Sequence, residues 1–557
     1  MAIPWLSLLL ALPLVGSLLV LWLPEGRLRL IRCFALGVML LELLLAAGMM
    51  GQYDPGRAGV NEPEAFQFVE RTRLFTLPLG AFGRFAVDYY VGIDGLSLTL
   101  LLLTVLIGLI GVLSSWTIER APRAYFSLYL LLIGAIVGVF VALDLFLFYV
   151  FWELMLLPMY FLIGFWGGER REYAAVKFFL YTLAGSIFLL LVLIGLYLGT
   201  ALDPGAPPPD RVRVLDLLWL MRPEAYVPGS LLDPSSPGLI GGHNARLIAF
   251  AVLFLGFAIK LPVVPLHTWL PDAHVEAPTP ISVILAGVLL KLGGYGIVRL
   301  GYGLFPEGGL VFGTWIALLG MIGVVYGAFV AAAQEDLKKL IAYSSVSHMG
   351  YVLLGLASLT QEGVAGALFQ MFNHGLIAAM LFLLVGVLYD RVHDRLIPHF
   401  QGLSAIMPLY GGVALFAFLA SLGLPGLAGF VSEALIFLGA FSAEAVHPGH
   451  VLVPRWMVLV STAGLVLAAV YYLWAVVERM FHGPLRLQRQ EWQAALVDLS
   501  WRERIMFLPL MVLILGLGLY PQAYLELVRS STNHFLEWVL TSGKAWWPGG
   551  IASGLGN

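Results

Sequence analysis

Apolar runs long enough to cross a membrane recur along the whole chain, and they limit the fold more than any other feature. The first, IPWLSLLLALPLVGSLLVLWL, covers residues 3–23, and a helix of about 20 apolar residues spans a bilayer. Of the 557 residues, 60% are hydrophobic and 12% are charged, values typical of an integral membrane protein. Continuous runs favour helices over a barrel, whose strands would be short and alternating. We therefore predict an all-α polytopic membrane protein.

The length rule predicts about 14 spanning helices. They are placed at 3–23, 29–50, 91–115, 125–143, 145–166, 173–199, 246–270, 280–304, 309–333, 337–358, 363–389, 404–442, 454–481 and 503–520. The run 404–442 is too long for one straight crossing, and its glycines and Pro425 can break the helix midway. Residues 51–90 and 200–245 are predicted to be extramembrane loops. The segment 482–502, which mixes arginines, tryptophans and leucines, is predicted to be a helix lying in the interface.

Lysines and arginines are concentrated in alternate connections between the predicted spans. They are Arg27, Arg29, Arg32, Arg120, Arg123, Arg170, Arg171, Lys338, Lys339, Arg391, Arg395, Arg486 and Arg489. The positive-inside rule makes that side cytoplasmic and places both termini outside. The first run has no basic region ahead of it and exceeds a signal-peptide core, so we expect it to be a retained span.

Composition and missing motifs exclude several function classes. A net charge of −3 excludes a polybasic nucleic-acid binder. A single cysteine, Cys33, excludes a disulfide framework and a cysteine-held iron–sulfur cluster. The chain contains neither a Walker A motif nor a G-x-G-x-x-G motif between a strand and a helix. The histidines and carboxylates of 267–276 lack a metal-binding spacing, so we expect no cofactor and no metal in this chain.

Ionisable residues inside apolar runs are the candidates for function. They are Glu42, Glu153, Lys260, Lys291 and Glu433. A charge at a helix centre costs about 2.5 to 3.5 kcal/mol on insertion scales, which makes an ion or proton path the main hypothesis. The alternative is that these residues form interior pairs or extend to the interface.

Local sequence separates these candidates. Lys260 and Glu433 each lie beside proline and glycine residues that break a helix, as in FAIKLPVVPLHTWLPDAH (257–274), a pattern typical of transporter sites. Glu153 lies among aromatic residues, and Lys291 precedes the small residues LGGYG, which permit close helix packing. Glu42 has no helix breaker near it, and we assign it no role.

Three histidines lie on or next to the spans that contain these charges: His267, His348 and His374. An imidazole, whose unperturbed pKa is about 6.5, can both take and release a proton at cellular pH. A carboxylate that moves near a buried lysine changes the proton affinity of that lysine. The sequence therefore favours a proton path with a switch.

Five segments resemble one known family. They are the stretch 257–296 that begins FAIKLPVVPLHTWLPDAH, LFYVFWELMLLPMYFLIGFWGG, KKLIAYSSVSHMGYVLLG, MFNHGLIAAMLFLLVG and GLPGLAGFVSE. Together they resemble the antiporter-like membrane subunits shared by respiratory complex I and Mrp-type sodium/proton antiporters, above all the M-type (chain 4) subunit. The likeness covers most of residues 85–480.

The resemblance implies fourteen helices, with helices 4–8 and 9–13 forming two inverted repeats whose helices 7 and 12 are broken. The implied domains are 1–124 with a long loop, 125–304 as the first repeat, 305–481 as the second, and 482–557 as the interfacial segment, last helix and tail. It also implies that Glu153, Lys260, Lys291 and Glu433 transfer protons, with His267, His348 and His374 as relays.

The function expected from the resemblance is proton translocation as a membrane-arm subunit of NADH:quinone oxidoreductase in a bacterial inner membrane, with both termini periplasmic. Its partners would be L-type and N-type antiporter-like neighbours and the bilayer, without nucleic acid. FMN, iron–sulfur clusters and quinone are expected only in partner subunits. The alternatives are an Mrp-type sodium/proton antiporter subunit, the equivalent subunit of a membrane-bound hydrogenase, and a structural spacer.

Overall fold

The computed structural model describes residues 3–79, 84–201, 213–235, 238–240, 243–446 and 451–546. The first helices and strands are α1 (Trp5–Leu19), α2 (Leu28–Met50), β1 (Gln67–Pro78), β2 (Arg84–Ile93), α3 (Gly95–Ser114), α4 (Pro122–Val141), α5 (Leu145–Leu154), α6 (Leu156–Trp166), α7 (Arg171–Gly199), β3 (Arg213–Val214), α8 (Leu217–Leu220), β4 (Leu239–Ile240) and β5 (His243–Asn244).

The remaining elements contain the middle and the end of the helical bundle. They are α9 (Ala245–Lys260), α10 (Trp269–Glu276), α11 (Thr279–Ile284), α12 (Leu290–Gly296), α13 (Pro306–Ala332), α14 (Leu337–Ser358), α15 (Gln361–Val392), β6 (Phe400–Gln401), α16 (Pro408–Ser421), α17 (Ala428–Val446), α18 (Arg455–Ala469), β7 (Arg486–Leu487), α19 (Trp492–Ala495), α20 (Trp501–Leu519) and α21 (Gln522–Ala545). Wider π-helical turns at Leu285–Leu289, Ile297–Tyr302 and Val470–Phe481 continue α11, α12 and α18.

The predicted fold class is confirmed. Among the described residues, 12 helices are long and apolar enough to cross a membrane, or 13 if α20 and α21, bent by 71°, count as one span. The predicted run 246–270 is absent from that set because it forms two short helices, α9 and α10, with an irregular segment between them. When that bent pair is counted as a span, the difference from about 14 spans comes from this one broken helix.

The break after α9 follows from its prolines. Pro262 and Pro265 have no backbone N–H to continue the ladder, so carbonyls at the end of α9 need other donors. The indole of Trp269, at the start of α10, donates to the carbonyl of Ile259 at 2.8 Å. A side chain from the following helix thus supplies a hydrogen bond that the broken helix cannot.

The second predicted break lies between α16 and α17. Gly423 and Gly426 adopt left-handed backbone conformations, with φ of 78° and 94°, which only glycine adopts without strain. A further break at Met155, between α5 and α6, was not predicted. Pro158 explains it, because proline cannot donate to the carbonyl four residues earlier, that of Leu154.

The two long connections are not simple loops, and they pair with each other. β1 and β2 form an antiparallel hairpin within and just beyond 51–90, and β3, from the connection 200–245, pairs in parallel with β2. Arg71 links the two connections, because it contacts Asp88 and Asp216 at 2.9 Å each. The extramembrane side of the protein therefore has a small folded sheet.

The prediction of an interfacial helix over 482–502 is wrong. That segment contains the short strand β7, paired with β6, and the four-residue helix α19. Its aromatic side chain Trp492 instead stacks on Phe400, with ring centroids 5.3 Å apart. The long helix that follows the last predicted span, α21, was not predicted. Most of the C-terminal tail, residues 547–557, lies outside the described residues.

Candidate functional site

Lys260 is the last residue of α9 and is 1% exposed. Its Nζ atom lies 3.1 Å from the sulfur of Met155 and 3.7 Å from the centroid of the Trp152 ring. The α5–α6 break therefore builds the pocket, because both contact residues come from it. An ammonium over a tryptophan ring gains a cation–π attraction.

Glu153 lies between those two contact residues in sequence, at the end of α5. Its carboxylate is the acidic group that acts electrostatically on Lys260, although no contact of 4.0 Å or less joins them. Its Oε1 atom is buried without a hydrogen-bond partner among the described residues. The structure therefore places the predicted switch pair in one pocket without direct contact.

Lys291 lies on α12 and is fully buried. Its Nζ atom is 2.8 Å from Nδ1 of His374 on α15 and donates to the carbonyl of Ala286. That carbonyl belongs to the π-helical turn Leu285–Leu289, and such turns occur often at functional sites. Lysine and histidine thus share one hydrogen bond in the interior.

His348 and Glu433 form the next contact along the interior. The rings of His374 and His348 are 5.4 Å apart between centroids, and Nδ1 of His348 is 3.4 Å from Oε1 of Glu433. Gln370 lies 3.3 Å from the same ring nitrogen. Four ionisable side chains from α12, α15, α14 and α17 therefore form a continuous row, which we call the Lys291–Glu433 row.

A small cavity accompanies the far end of this row. It has a volume of ≈ 10 Å³ and is lined by His348, His374, Gln370, Ser421 and Glu433, among others. A polar cavity of this size is close to the smallest that holds one water. The second carboxylate oxygen of Glu433 is buried without a partner among the described residues. A water here would complete the hydrogen bonding between the two histidines and the carboxylate.

The Lys260 pocket and the row are neighbours. Gly293, two residues after Lys291, packs on the end of α9, where an added Cβ atom would lie 2.6 Å from the backbone nitrogen of Leu261. Only a glycine permits this approach of the two backbones. No polar side-chain contact between Lys260 and Lys291 is present in the described part of the chain.

His267 is not part of the row. It lies in the irregular segment after α9, is 3% exposed, and has its ring 5.2 Å from that of Tyr326 and 6.3 Å from that of Tyr343. His267, the predicted relay, therefore lies among aromatic rings and contacts neither Lys260 nor Lys291.

His274 was not predicted as a proton-carrying residue, because its segment, 267–276, was considered only as a metal site. His274 is fully buried on α10, stacks on Phe382 with ring centroids 4.4 Å apart, and has no hydrogen-bond partner for either ring nitrogen among the described residues. The charges that act on it are those of Lys338 and Lys291. Its position in the same motif as Lys260 was the available signal. In the described ranges, no group of three or more His, Cys, Asp or Glu side chains is arranged to hold a metal.

Comparisons with known proteins agree on one family. The family model described as NADH:quinone oxidoreductase/Mrp antiporter, TM, matches residues 142–453. NADH-quinone oxidoreductase subunit M from Rhodobacter capsulatus is 40% identical over 501 residues, which cover 89% of this chain and 88% of that protein.

Solved structures show the same fold. A chain of respiratory complex I from Thermus thermophilus with bound NADH has a TM-score of 0.75 and 29% identity, and the match covers 96% of this chain and 99% of that one. A chain of the Mrp complex from Dietzia sp. DQ12-45-1b has a TM-score of 0.72 and covers 97% of this chain and 100% of that one. Its identity is 20%, so that likeness shows the fold alone.

Proposed function

Because the chain belongs to the NADH:quinone oxidoreductase/Mrp antiporter transmembrane family, we propose that it is a proton-translocating membrane-arm subunit of NADH:quinone oxidoreductase. The observation that carries the proposal is the Lys291–Glu433 row, in which four buried ionisable side chains follow one another across four helices. Buried charges are costly in a membrane protein and usually mark an ion or proton pathway.

The row has the chemistry of a relay. In the 2.8 Å contact of Lys291 with His374, one nitrogen must donate and the other accept, so a proton can be held on either side. The 5.4 Å between the histidine rings is bridged by ring rotation or by one water in the adjoining cavity. Glu433 then accepts the proton from His348. His274 extends the relay on the Lys291 side.

Lys260 and Glu153 supply the switch in this proposal. A change in the charge or position of the Glu153 carboxylate alters the proton affinity of Lys260, and Lys260 lies beside the helix that holds Lys291. The driving force comes from electron transfer in partner subunits, which hold FMN, iron–sulfur clusters and quinone. His267 would serve as a further relay near the break.

The wider assignment follows from the same proposal. The partners are L-type and N-type antiporter-like subunits in a bacterial inner membrane, and both termini lie on the periplasmic side. The inverted repeats, with divisions at 124, 304 and 481, belong to this proposal as well. The second candidate is a sodium/proton antiporter subunit, because the description of the matching family model includes Mrp antiporters as well.

The test is replacement of Lys291 by methionine in the assembled complex, reconstituted into vesicles. We expect proton uptake per NADH oxidised to fall at least several-fold, because methionine fills the space without carrying a proton. Glu42→Gln is the matched control, since Glu42 is also fully buried but lies outside the row, and it should pump normally. Normal pumping by Lys291→Met would favour the spacer hypothesis, and a strict need for sodium would favour the antiporter.

A further inference from the structure

A pocket outside the Lys291–Glu433 row lies between the first turn of α15, the middle of α17 and the first half of α21. We call it the α21 pocket. Its volume is ≈ 180 Å³, and its lining residues include Gln361, Glu362, Leu435, Leu525, Arg529 and Thr532. About 10 to 15 Å³ of such volume is enough for one water, so the pocket has room for a molecule much larger than a water or a single ion.

The α21 pocket lies on the side of the membrane that carries the small β-sheet. α3 begins at Gly95, directly after strand β2, and the Gly95 N–H donates to the hydroxyl of Ser531 on α21 at 3.0 Å. Thr532, the next residue, lines the pocket. Further along α21, the indole of Trp538 donates to the carbonyl of Gly303 at 3.0 Å, three residues before α13 begins. α21 therefore lies across the ends of spanning helices, at the depth where an interfacial helix meets lipid head groups.

Two charges and one hydroxyl of the pocket are unpaired in the part of the chain that the structure describes. Glu362 and Arg529 are both exposed, and neither forms an ion pair of 4.0 Å or less. The hydroxyl of Thr532 lacks a hydrogen-bond partner although this residue is fully buried, and a buried hydroxyl without a partner is costly. The pocket thus offers an acceptor for a cation and two donors for an anion.

The other walls of the pocket are apolar and continue onto the exposed surface of α17. Leu435 and Leu525 line the pocket. Leu438, which follows Leu435 by three residues and so lies on the same face of the helix, is 63% exposed. Because α17 is long and apolar enough to cross a membrane, lipid chains cover such a side chain. The pocket therefore joins two opposite charges to a surface that contacts acyl chains.

We propose that the α21 pocket binds the head group of a phospholipid that carries a primary amine, of the phosphatidylethanolamine class. Arg529 and the hydroxyl of Thr532 donate to its phosphate, in hydrogen bonds of which the first is charge-assisted. The carboxylate of Glu362 accepts from its ammonium group, and the acyl chains lie along Leu435 and Leu438.

The charge of Glu362 selects this lipid class. Inorganic phosphate or an anionic phospholipid would bring a second negative charge beside that carboxylate, which opposes binding. A choline head group carries a positive charge but has no N–H to donate. The inference does not depend on the proposed function, because it assigns a ligand to a part of the chain that lies outside the row.

The first test measures the head-group preference of the pocket. The assembled complex is reconstituted into phosphatidylglycerol vesicles that contain a trace of photoactivatable phosphatidylethanolamine, and the label on the peptide that contains Leu435 is quantified after illumination. We expect added phosphatidylethanolamine to displace the probe, and phosphatidylcholine and inorganic phosphate to leave it in place. Arg529→Gln should lower labelling at least several-fold. Lys544→Gln is the matched control, since Lys544 is an exposed cation on the same helix, and it should be labelled normally.

Two results of this experiment would overturn the proposal. Unchanged labelling of Arg529→Gln would mean that the probe only follows the exposed apolar surface. Displacement by inorganic phosphate or by phosphatidylcholine would mean that the primary amine is not recognised.

The second test identifies the group that faces Glu362. A carbodiimide activates a carboxylate, and an amine in contact with it then forms an amide and releases the urea. We expect the peptide that contains Glu362 to gain the mass of phosphatidylethanolamine, and Glu362→Gln to abolish this adduct. Glu526→Gln, at an exposed position on α21, is the control and should retain it. Coupling of Glu362 to a lysine of a partner subunit would show that protein fills the pocket and would overturn the proposal, as would the absence of any coupling.

Discussion

At the scale of single residues, Asp144 shows how burial, helped by nearby carboxylates, raises the pKa of an aspartate towards neutrality. It is 1% exposed in the connection between α4 and α5, and it caps α5 by accepting from the Leu147 N–H at 2.9 Å. Burial, together with the charges of Asp88 and Asp216, raises its pKa from 3.8 to about 7. The unfolded chain has an aspartate pKa of about 3.9.

This shift predicts a pH-dependent stability. Between about pH 4 and 7, the folded protein holds a proton on Asp144 that the unfolded chain has lost, so stability falls as pH rises through that window and levels off above it. Asp144→Asn keeps the cap oxygen and is neutral at every pH. We expect the apparent midpoint of thermal unfolding of the purified complex to fall less steeply between pH 5 and 8 in this variant. Glu169→Gln, at an exposed position, should retain the wild-type profile; an unchanged slope in Asp144→Asn would contradict the assignment.

Some site residues were predicted from the sequence and others were not. The difference is how unusual each residue is among its neighbours in the sequence. Lys260, Lys291 and Glu433 are charges inside apolar runs, so the cost of burying them marks them without any structure. His274 was missed because it lies between Asp272 and Glu276 in a polar stretch, where a histidine carries no such cost. Its complete burial on α10 is visible only in the folded structure.

At the scale of elements, close helix contacts depend on single glycines. An added Cβ atom at Gly439 on α17 would lie 2.1 Å from the backbone nitrogen of Gly363 on α15, a distance that backbone atoms cannot accept. α15 and α17 carry His374 and Glu433, so this contact also sets the geometry of the row. We expect Gly439→Ala to destabilise the subunit by about 1 to 3 kcal/mol, the range for overpacked cores.

The measurement is the thermal midpoint and the yield of assembled complex. Gly412→Ala on the neighbouring helix α16 is the control, because nothing lies within 4 Å of an added Cβ atom there, and alanine favours a helix over glycine. Equal stability of the two variants would show that the α15–α17 contact can relax.

The ends of helices were predicted correctly where proline or glycine breaks the helix. The breaks after Lys260 and after Ser421 were predicted for that reason. The pairing of β2 with β3 was not predicted, because it joins residues more than a hundred positions apart. The segment 482–502 does not form the predicted helix, because its strand β7 pairs with β6.

At the scale of the whole molecule, one buried ion pair holds distant parts of the chain together. Arg246 on α9 is fully buried and lies 2.6 Å from Glu307 on α13. It also donates to the carbonyls of Leu232 and Leu304, at 3.0 and 2.7 Å, and its guanidinium lies 4.9 Å from the ring centroid of Trp546. It therefore joins the long connection, two helices and the end of α21.

Removing one partner of this pair should lower the stability of the protein far more than replacing both. Arg246→Ala leaves Glu307 buried without its counter-charge, which costs about 3 to 5 kcal/mol. The double variant Arg246→Met, Glu307→Leu replaces the pair with apolar groups, and we expect it to recover most of the lost thermal stability. Assembly yield and thermal midpoint provide the measurement. A double variant as unstable as Arg246→Ala would mean that the carbonyl contacts, rather than the charge pair, hold these parts together.

The sequence by itself determined that this chain crosses a membrane as helices, where two of those helices break, and which charges are buried at high cost. These properties follow from local composition, since apolar length, missing proline N–H groups and glycine backbones act within a few residues. Tertiary structure alone decided which charges meet. Lys291 and His374 are 83 positions apart, and their contact, like that of His348 with Glu433, exists only because non-adjacent helices pack side by side.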